Sequence, residues 1–388
     1  MSIVRAHHSA SFAIDLFAGA GGLSLGLQRA GFRVLVANEL HPDPIKTYKA
    51  NNPCTTVVEG DVRRLSGKGL LAVASARAGK RISTGELTLL AGGPPCQGFS
   101  MAGLKQFSDP RNSLIAEFLR LVQEVAPEYF LLENVPGLLS LFKGEFFVDI
   151  REMLDQIGYD YVCRILQSAD YYVPQSRRRV FIVGARDGCA PRIQLPSRSG
   201  NESLSMELGA FRRRVTVGEA IGDLPRVSSG GAAHEYDRAP QNAFQTLLRD
   251  GSRVLFNHRA ARHRRTTVEL FSLVPEGGTQ RDIRLDPAQG RRSLKKGVQR
   301  WNRNDLSKTV TTEPNDFIHY ELDRTPTIRE LARLQTFPDT YVFLGKRTTG
   351  NLDRRAKDCC QSQQVGNAVP VFLACSVGQA LHQEKIGR

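Results

Sequence analysis

The stretch F-A-I-D-L-F-A-G-A-G-G-L-S-L-G-L, residues 12–27, decides the fold. An apolar run enters a turn with glycine at 19, 21 and 22, and a helical pattern follows until Gly31. The stretch therefore reads as strand, glycine turn and helix. Glycines in such a turn let a ligand approach the backbone and set a helix N-terminus beside it. Residue 24 is Ser, so the pattern departs from G-x-G-x-x-G, and Phe17 precedes the glycines where it could lie against an adenine. Glu39 closes the next strand 20 residues after Gly19, the offset from which an acid accepts both ribose hydroxyls. Asp61 ends a third short strand, T-V-V-E-G-D, in reach of an adenine amino group. These features suit a nucleoside without a pyrophosphate better than a dinucleotide.

Outward from this turn, apolar runs and amphipathic segments alternate to about residue 185. That alternation predicts βα units and a mostly parallel sheet. Further strands are expected at Arg33–Glu39, Leu87–Ala91, Tyr129–Glu133, Val162–Leu166 and Val180–Val183. Leu114, Ile115, Phe118, Leu119, Val122 and Val125 recur at helical spacing, with Pro127 as a stop. A second helix carries Phe147, Ile150, Leu154 and Ile157 and ends at Gly158. Near Thr325 the pattern T-I-R-E-L-A-R-L-Q predicts a helix capped by Thr327, with Glu330 in the capping-box position. Val369 to His382 reads as a C-terminal helix.

The 388 residues suggest two domains and can bury a large core without disulfide or metal staples. Seven cysteines, with no C-x-x-C pair and no Cys/His cluster at zinc spacing, exclude a secreted disulfide framework and predict no metal site. The N-terminus lacks the apolar core of a signal peptide, and no long apolar run predicts a membrane span. A net charge of +14 calls for a polyanionic partner. Residues 197–308 hold 21 basic against 12 acidic side chains, so most of the excess lies there. Periodicity is weak in that stretch, and no elements are assigned to it.

Three strand ends carry chemistry. After E-L-T-L-L-A comes G-G-P-P-C-Q-G-F-S, which sets Cys96 just past a strand's C-terminal end, where α/β folds place ligands. Two prolines stiffen the approach and two glycines leave room, a setting for a nucleophilic thiol rather than a core filler. A second strand delivers E-N-V-P; Glu133 ends an apolar run, and desolvation would raise its pKa and suit it to donate a proton. P-Q-S-R-R-R-V-F precedes a third. Alternation points Arg177 and Arg179 to one side and Arg178 away, so two guanidinium groups converge on an anionic or carbonyl-bearing substrate.

Six segments then stand in order: D-L-F-A-G-A-G-G, G-P-P-C-Q-G-F-S, E-N-V, Q-S-R-R-R-V-F, R-E-L-A-R-L-Q-T-F-P-D and Q-V-G-N-A-V-P. Together they resemble the motif series of the DNA (cytosine-5)-methyltransferases, from about residue 12 to 373. The resemblance implies an S-adenosylmethionine-dependent, Rossmann-like α/β catalytic domain over 1–188 and 360–388. A smaller, irregular target-recognition domain would occupy 189–359. It implies Cys96 as the nucleophile, Glu133 as the acid, and Arg177 and Arg179 as the arginines that hold the cytosine. It also implies a cofactor pocket of Phe17, Ala18, Gly19, Gly21, Gly22 and Leu23, with Glu39, Leu40, Asp61 and Val62. Pro94, Asn367 and Ala368 complete that pocket. Relatives often carry a large aromatic where this chain has Leu40, so adenine stacking leans more on Phe17.

The implied partner is double-stranded DNA, gripped by Gln97, Ser100, Arg212, Arg264, Arg265, Arg291 and Arg292. Short length points to a prokaryotic modification enzyme, cytoplasmic and monomeric, with or without a cognate restriction endonuclease. Two alternatives stay open on the residues: a tRNA cytosine-5 methyltransferase with the same motifs, and a Rossmann NAD(P) oxidoreductase.

Overall fold

F-A-I-D-L (12–16) and Y-F-L-L-E-N (129–134) are buried at every position, as strands covered on both faces must be. The computed structural model in which they sit describes residues 11–95, 114–186, 190, 193, 195, 214–283, 297–348 and 358–386. Its first eight strands are β1 Phe12–Leu16, β2 Arg33–Glu39, β3 Thr56–Glu59, β4 Leu89–Gly92, β5 Tyr129–Asn134, β6 Asp160–Gln167, β7 Gln175–Ser176 and β8 Arg178–Ala185. Seven of these form one sheet in the order β3-β2-β1-β4-β5-β8-β6. β1 to β5 are parallel, whereas β8 runs antiparallel to both β5 and β6. The chain steps from β1 outward to β3, then returns to the other side of β1 as β4. The carboxyl ends of β1 and β4 therefore lie side by side, with Leu16 paired to Gly92, and leave the crevice where open α/β sheets bind ligands.

Helices cover both faces. α1 (Gly22–Arg29) packs on the C-terminal helix Val371–Ile386 so tightly that a Cβ on Gly26 would lie 2.4 Å from the Ala374 Cβ. The opposite face carries α3 (Gly67–Ala78), α4 (Leu114–Val125) and α5 (Glu145–Gln156), through Leu70, Phe118 and Ile150. α2 (Pro42–Asn51) lies between β2 and β3. α4 and α5 match the expected periodicity, and Gly158 adopts φ +73° just beyond α5. By composition alone Gln361–Lys385 could cross a membrane, but 78% of its most apolar window is buried within the fold.

The stretch without clear periodicity contains short helices, Val217–Ile221, Ala243–Arg249 and Arg265–Ser272. Val215, Phe244, Leu248 and Leu255 join the same hydrophobic cluster as α1 and the C-terminal helix. Phe271, Val274, Val298 and Ile318 form a separate small cluster. The capping box expected at Thr327 and Glu330 is present on the helix Ile328–Leu334. That helix is buried along its length and docks through charge. Arg333 donates to Asp223 Oδ1 and Asp339 Oδ2, each at 2.6 Å, with all three side chains sealed from solvent. Without Arg333, Asp223 keeps only Arg249 and Asp339 only Arg329 and Tyr236, too few donors for two carboxylates sealed from solvent. Arg333→Ala is thus expected to cost roughly 3–5 kcal/mol, read as a lowered urea midpoint; a loss below about 1 kcal/mol would contradict the reading.

Candidate active site

Three strand ends and one arginine segment meet at the crevice. After β1 the chain turns through Phe17 at φ +56°, Gly19 at φ +56° and Gly21 at φ +91°, a left-handed sequence that favours glycine. A Cβ on Gly22 would stand 2.4 Å from the Val369 carbonyl oxygen, so the turn sits directly on the C-terminal motif. Glu39 locks the turn to β2. Its Oε2 accepts from the Gly19 N–H at 2.9 Å, and its Oε1 from those of Leu40 and His41 at 2.9 and 2.8 Å. Beside it, the Leu40 side chain is 55% exposed, an apolar surface ready for a flat ring. Asp61 caps the turn Val62–Arg64, and hydrogen bonds from Arg63 hold its carboxyl down at about 2. It is therefore a permanent acceptor. Ala18, Leu23, Val62, Pro94 and Ala368 are buried around this region, and Asn367 is exposed at the end of the helix Gln361–Asn367. Open space surrounds the missing Cβ of Gly19. Glycine backbone, paired acceptors and apolar flank together fit a nucleoside.

On the other side of the crevice, Glu133 stands one residue before the end of β5, with its Oε1 3.1 Å from Arg179 Nε near the start of β8. Both side chains are largely buried. Burial raises the Glu133 carboxyl above its ordinary range, and the attraction of Arg179 and Arg177 does not cancel it. The same burial lowers the Arg179 guanidinium. The pair is thus poised to hold a proton on the carboxyl. Gly93 makes room for it, since a Cβ there would lie 3.1 Å from Glu133 Oε2. The next residue, Asn134, donates to the Pro94 carbonyl at 2.9 Å and ties β5 to the segment that leads into Cys96.

Arg178 is exposed, as alternation predicts, but Arg177 departs from the expected substrate role. Its Nη1 donates to the Val310 carbonyl at 2.9 Å, and its Nη2 to those of Gly366 and Ala368 at 3.0 and 3.3 Å. Both Nη atoms of this buried guanidinium are thus engaged by carbonyls, two of them in the C-terminal motif. Gln175 and Gln335 extend these contacts: Gln175 donates to Gln335 Oε1 at 2.8 Å, and Gln335 to the Val365 carbonyl at 2.7 Å. Asp15, Asn134, Gln175 and Gln335 each stand in one of the motif segments, but the pattern alone gives them no role. The available signal was a polar residue inside an apolar run, as in F-A-I-D-L and Y-F-L-L-E-N.

Arg264 and Arg265 are exposed, and Arg265 is paired with Glu269 at 3.0 Å. Cys96, Gln97, Ser100, Arg212, Arg291 and Arg292 lie outside the described residues.

Fold and site together define a Rossmann-like α/β methyltransferase. Residues 12–383 match the model of the C-5 cytosine-specific DNA methylase family, and the chain belongs to that family. It is similar to the Type II methyltransferase M1.HphI of Haemophilus parahaemolyticus, 37% identical over 95% of this chain and 86% of that protein. M.DdeI of Desulfomicrobium norvegicum is 36% identical over 95% and 88%. Among solved structures, a DNA modification methyltransferase encoded within an Escherichia coli prophage superposes with TM-score 0.70 at 25% identity, covering 96% of this chain and 99% of that one. The protein is a DNA (cytosine-5)-methyltransferase; an RNA-directed enzyme and a dinucleotide oxidoreductase are not favoured by these matches.

Proposed function

We propose that the chain is the modification enzyme of a prokaryotic restriction–modification system, acting as a cytoplasmic monomer on one double-stranded DNA sequence, with S-adenosylmethionine as cofactor. The observation that carries this reading is the buried Glu133–Arg179 pair, set across a glycine gap from the segment that delivers Cys96. The glycine turn, Glu39, Leu40 and Asp61 would hold the cofactor, which supplies a methyl group on a sulfonium.

Carbon 5 of cytosine is a poor nucleophile. The Cys96 thiolate would add to carbon 6 and push electron density to carbon 5, where the methyl is taken. Glu133, carrying its proton, would neutralise charge growing at ring nitrogen 3, with Arg179 fixing that carboxyl and reaching the exocyclic carbonyl. Loss of the carbon-5 proton then expels Cys96. Arg177 would act by bracing the C-terminal motif against the same site.

Such a base cannot react inside a stacked duplex, so it must be flipped out at a cost of roughly a few kcal/mol. The basic stretch would offset that cost through phosphate contacts, with a few side chains reading base edges. Within 189–359, the part centred on the separate cluster of Phe271, Val274, Val298 and Ile318 is the proposed reader. About six phosphate contacts predict that DNA affinity falls on the order of a thousandfold between about 50 and 200 mM salt. Filter binding across that range checks it; flat binding would contradict it. Bisulfite sequencing of plasmid from cells expressing the chain tests the whole reading. Protected cytosines should appear at one recurring sequence, and none with Cys96→Ser.

A further inference from the structure

Beneath the glycine turn runs a buried polar chain that the reaction described above does not use. Asp15 lies in apolar β1 with 0% exposure. Its Oδ2 accepts from the Ser24 hydroxyl of α1 at 2.5 Å, and Ser24 Oγ accepts from the Tyr48 hydroxyl of α2 at 2.7 Å. The other oxygen, Oδ1, is buried without a hydrogen-bond partner among the described residues. An unpartnered buried carboxylate oxygen is costly, so its retention calls for a reason.

The surroundings supply one. Both tyrosines that close this pocket press on the turn itself. A Cβ on Gly21 would lie 2.6 Å from Tyr341 Oη and 3.0 Å from the Tyr48 ring. The Tyr341 hydroxyl donates to the Ala20 carbonyl and accepts from Asn52 Nδ2 at 3.2 Å. Glu39 from β2 also acts on Asp15, and it makes ionisation harder. The groups that act on Asp15 are Ser24, Glu39 and the hydroxyls of Tyr48 and Tyr341, and none of them is a cation. Ser24, the residue bonded to this acid, stands in the first turn of α1, directly after the glycines that would cradle a sulfonium.

We propose that Asp15 is a positioning residue of the cofactor turn, whose carboxylate supplies the counter-charge to a cationic cofactor and gives up its proton to solvent as that cofactor binds. This rests on the S-adenosylmethionine reading above. Burial first, opposed by the Ser24 hydrogen bonds, lifts the Asp15 carboxyl to about 7 in the free protein, so the exchange falls in the working pH range. A bound cation stabilises the charged form, and cofactor affinity should therefore rise with pH through neutrality.

Calorimetry of S-adenosylmethionine binding to the full chain, at pH 6 to 8 in two buffers of different ionisation enthalpy, tests this. The wild type should bind about fivefold more tightly at pH 8 than at pH 6 than Asp15→Asn does by the same comparison. It should also release roughly a few tenths of a proton more at pH 7. Ser24→Ala removes a bond that favours the charged form and should move the transition to higher pH, which decides the matter if Asp15→Asn does not fold. Identical pH profiles and proton release in wild type and variants would overturn the proposal. Failure of the wild type to bind the cofactor at any pH would overturn the cofactor reading instead.

Discussion

Replacing Cys96 with serine is expected to lower kcat by at least about a thousandfold while leaving DNA affinity and cofactor affinity within a few-fold of wild type. Serine is nearly isosteric, so the loss would report nucleophilicity rather than shape. A hydroxyl at its ordinary pKa has almost no anion at neutral pH, and no base stands in the described part of the site to make one. Glu133 on β5 is a titratable group of the site, but Arg179 already occupies its Oε1. The thiol, with an ordinary pKa near 8.5, needs no such help. Single-turnover methyl transfer with tritiated cofactor measures the loss. A variant within tenfold of wild type would remove Cys96 from the chemistry.

Glu133→Gln is the second large effect, an expected fall of about a hundred- to ten-thousandfold in kcat. The amide keeps the side-chain volume beside Gly93 and a partner for Arg179, yet it cannot deliver a proton to ring nitrogen 3. The sign of the pH dependence follows from the raised carboxyl. Its useful form is the protonated one, so the wild-type rate should decline as pH climbs through the Glu133 pKa, and the glutamine variant should lose that limb. Arg179→Lys should make the same point from the other side. A lysine there would weaken the fork around Glu133, and the limb should move. A pH–rate profile of the glutamine variant parallel to that of the wild type would place the acid elsewhere.

These residues differ in how far the sequence betrayed them. Glu133 and the glycine turn stand at the ends of strands buried on both faces, and two-sided burial makes such strands legible as near-continuous hydrophobic runs. α4 was equally plain because its one buried face repeats at helical spacing. The direction of β8 was not, since an apolar run has the same periodicity whichever way it is paired. The bracing contacts of Arg177 are hidden for a related reason. Alternation gives the side to which a side chain points, but its partners are carbonyls 133 to 191 residues away along the chain. Nothing local marks them.

The basic stretch shows the limit of counting charge. Arg300 donates inward to the Phe271, Val274 and His319 carbonyls and to Asp323, while Arg249 pairs with Asp223 and lies 3.7 Å over the Tyr236 ring. Arg214, Arg226, Arg238 and Arg303 each have an acidic partner. Arg249 and Arg300, which composition counts among the charges available to phosphates, are therefore structural.

The most direct measurement is covalent capture. An oligonucleotide duplex bearing 5-fluorocytosine at the modified position blocks loss of the carbon-5 substituent and so halts the reaction with the enzyme attached. Incubated with wild-type protein and S-adenosylmethionine, it should yield a denaturant-stable conjugate, with the peptide containing Cys96 carrying the added mass. No conjugate from active wild-type protein, or an equal yield from Cys96→Ser, would contradict the covalent mechanism.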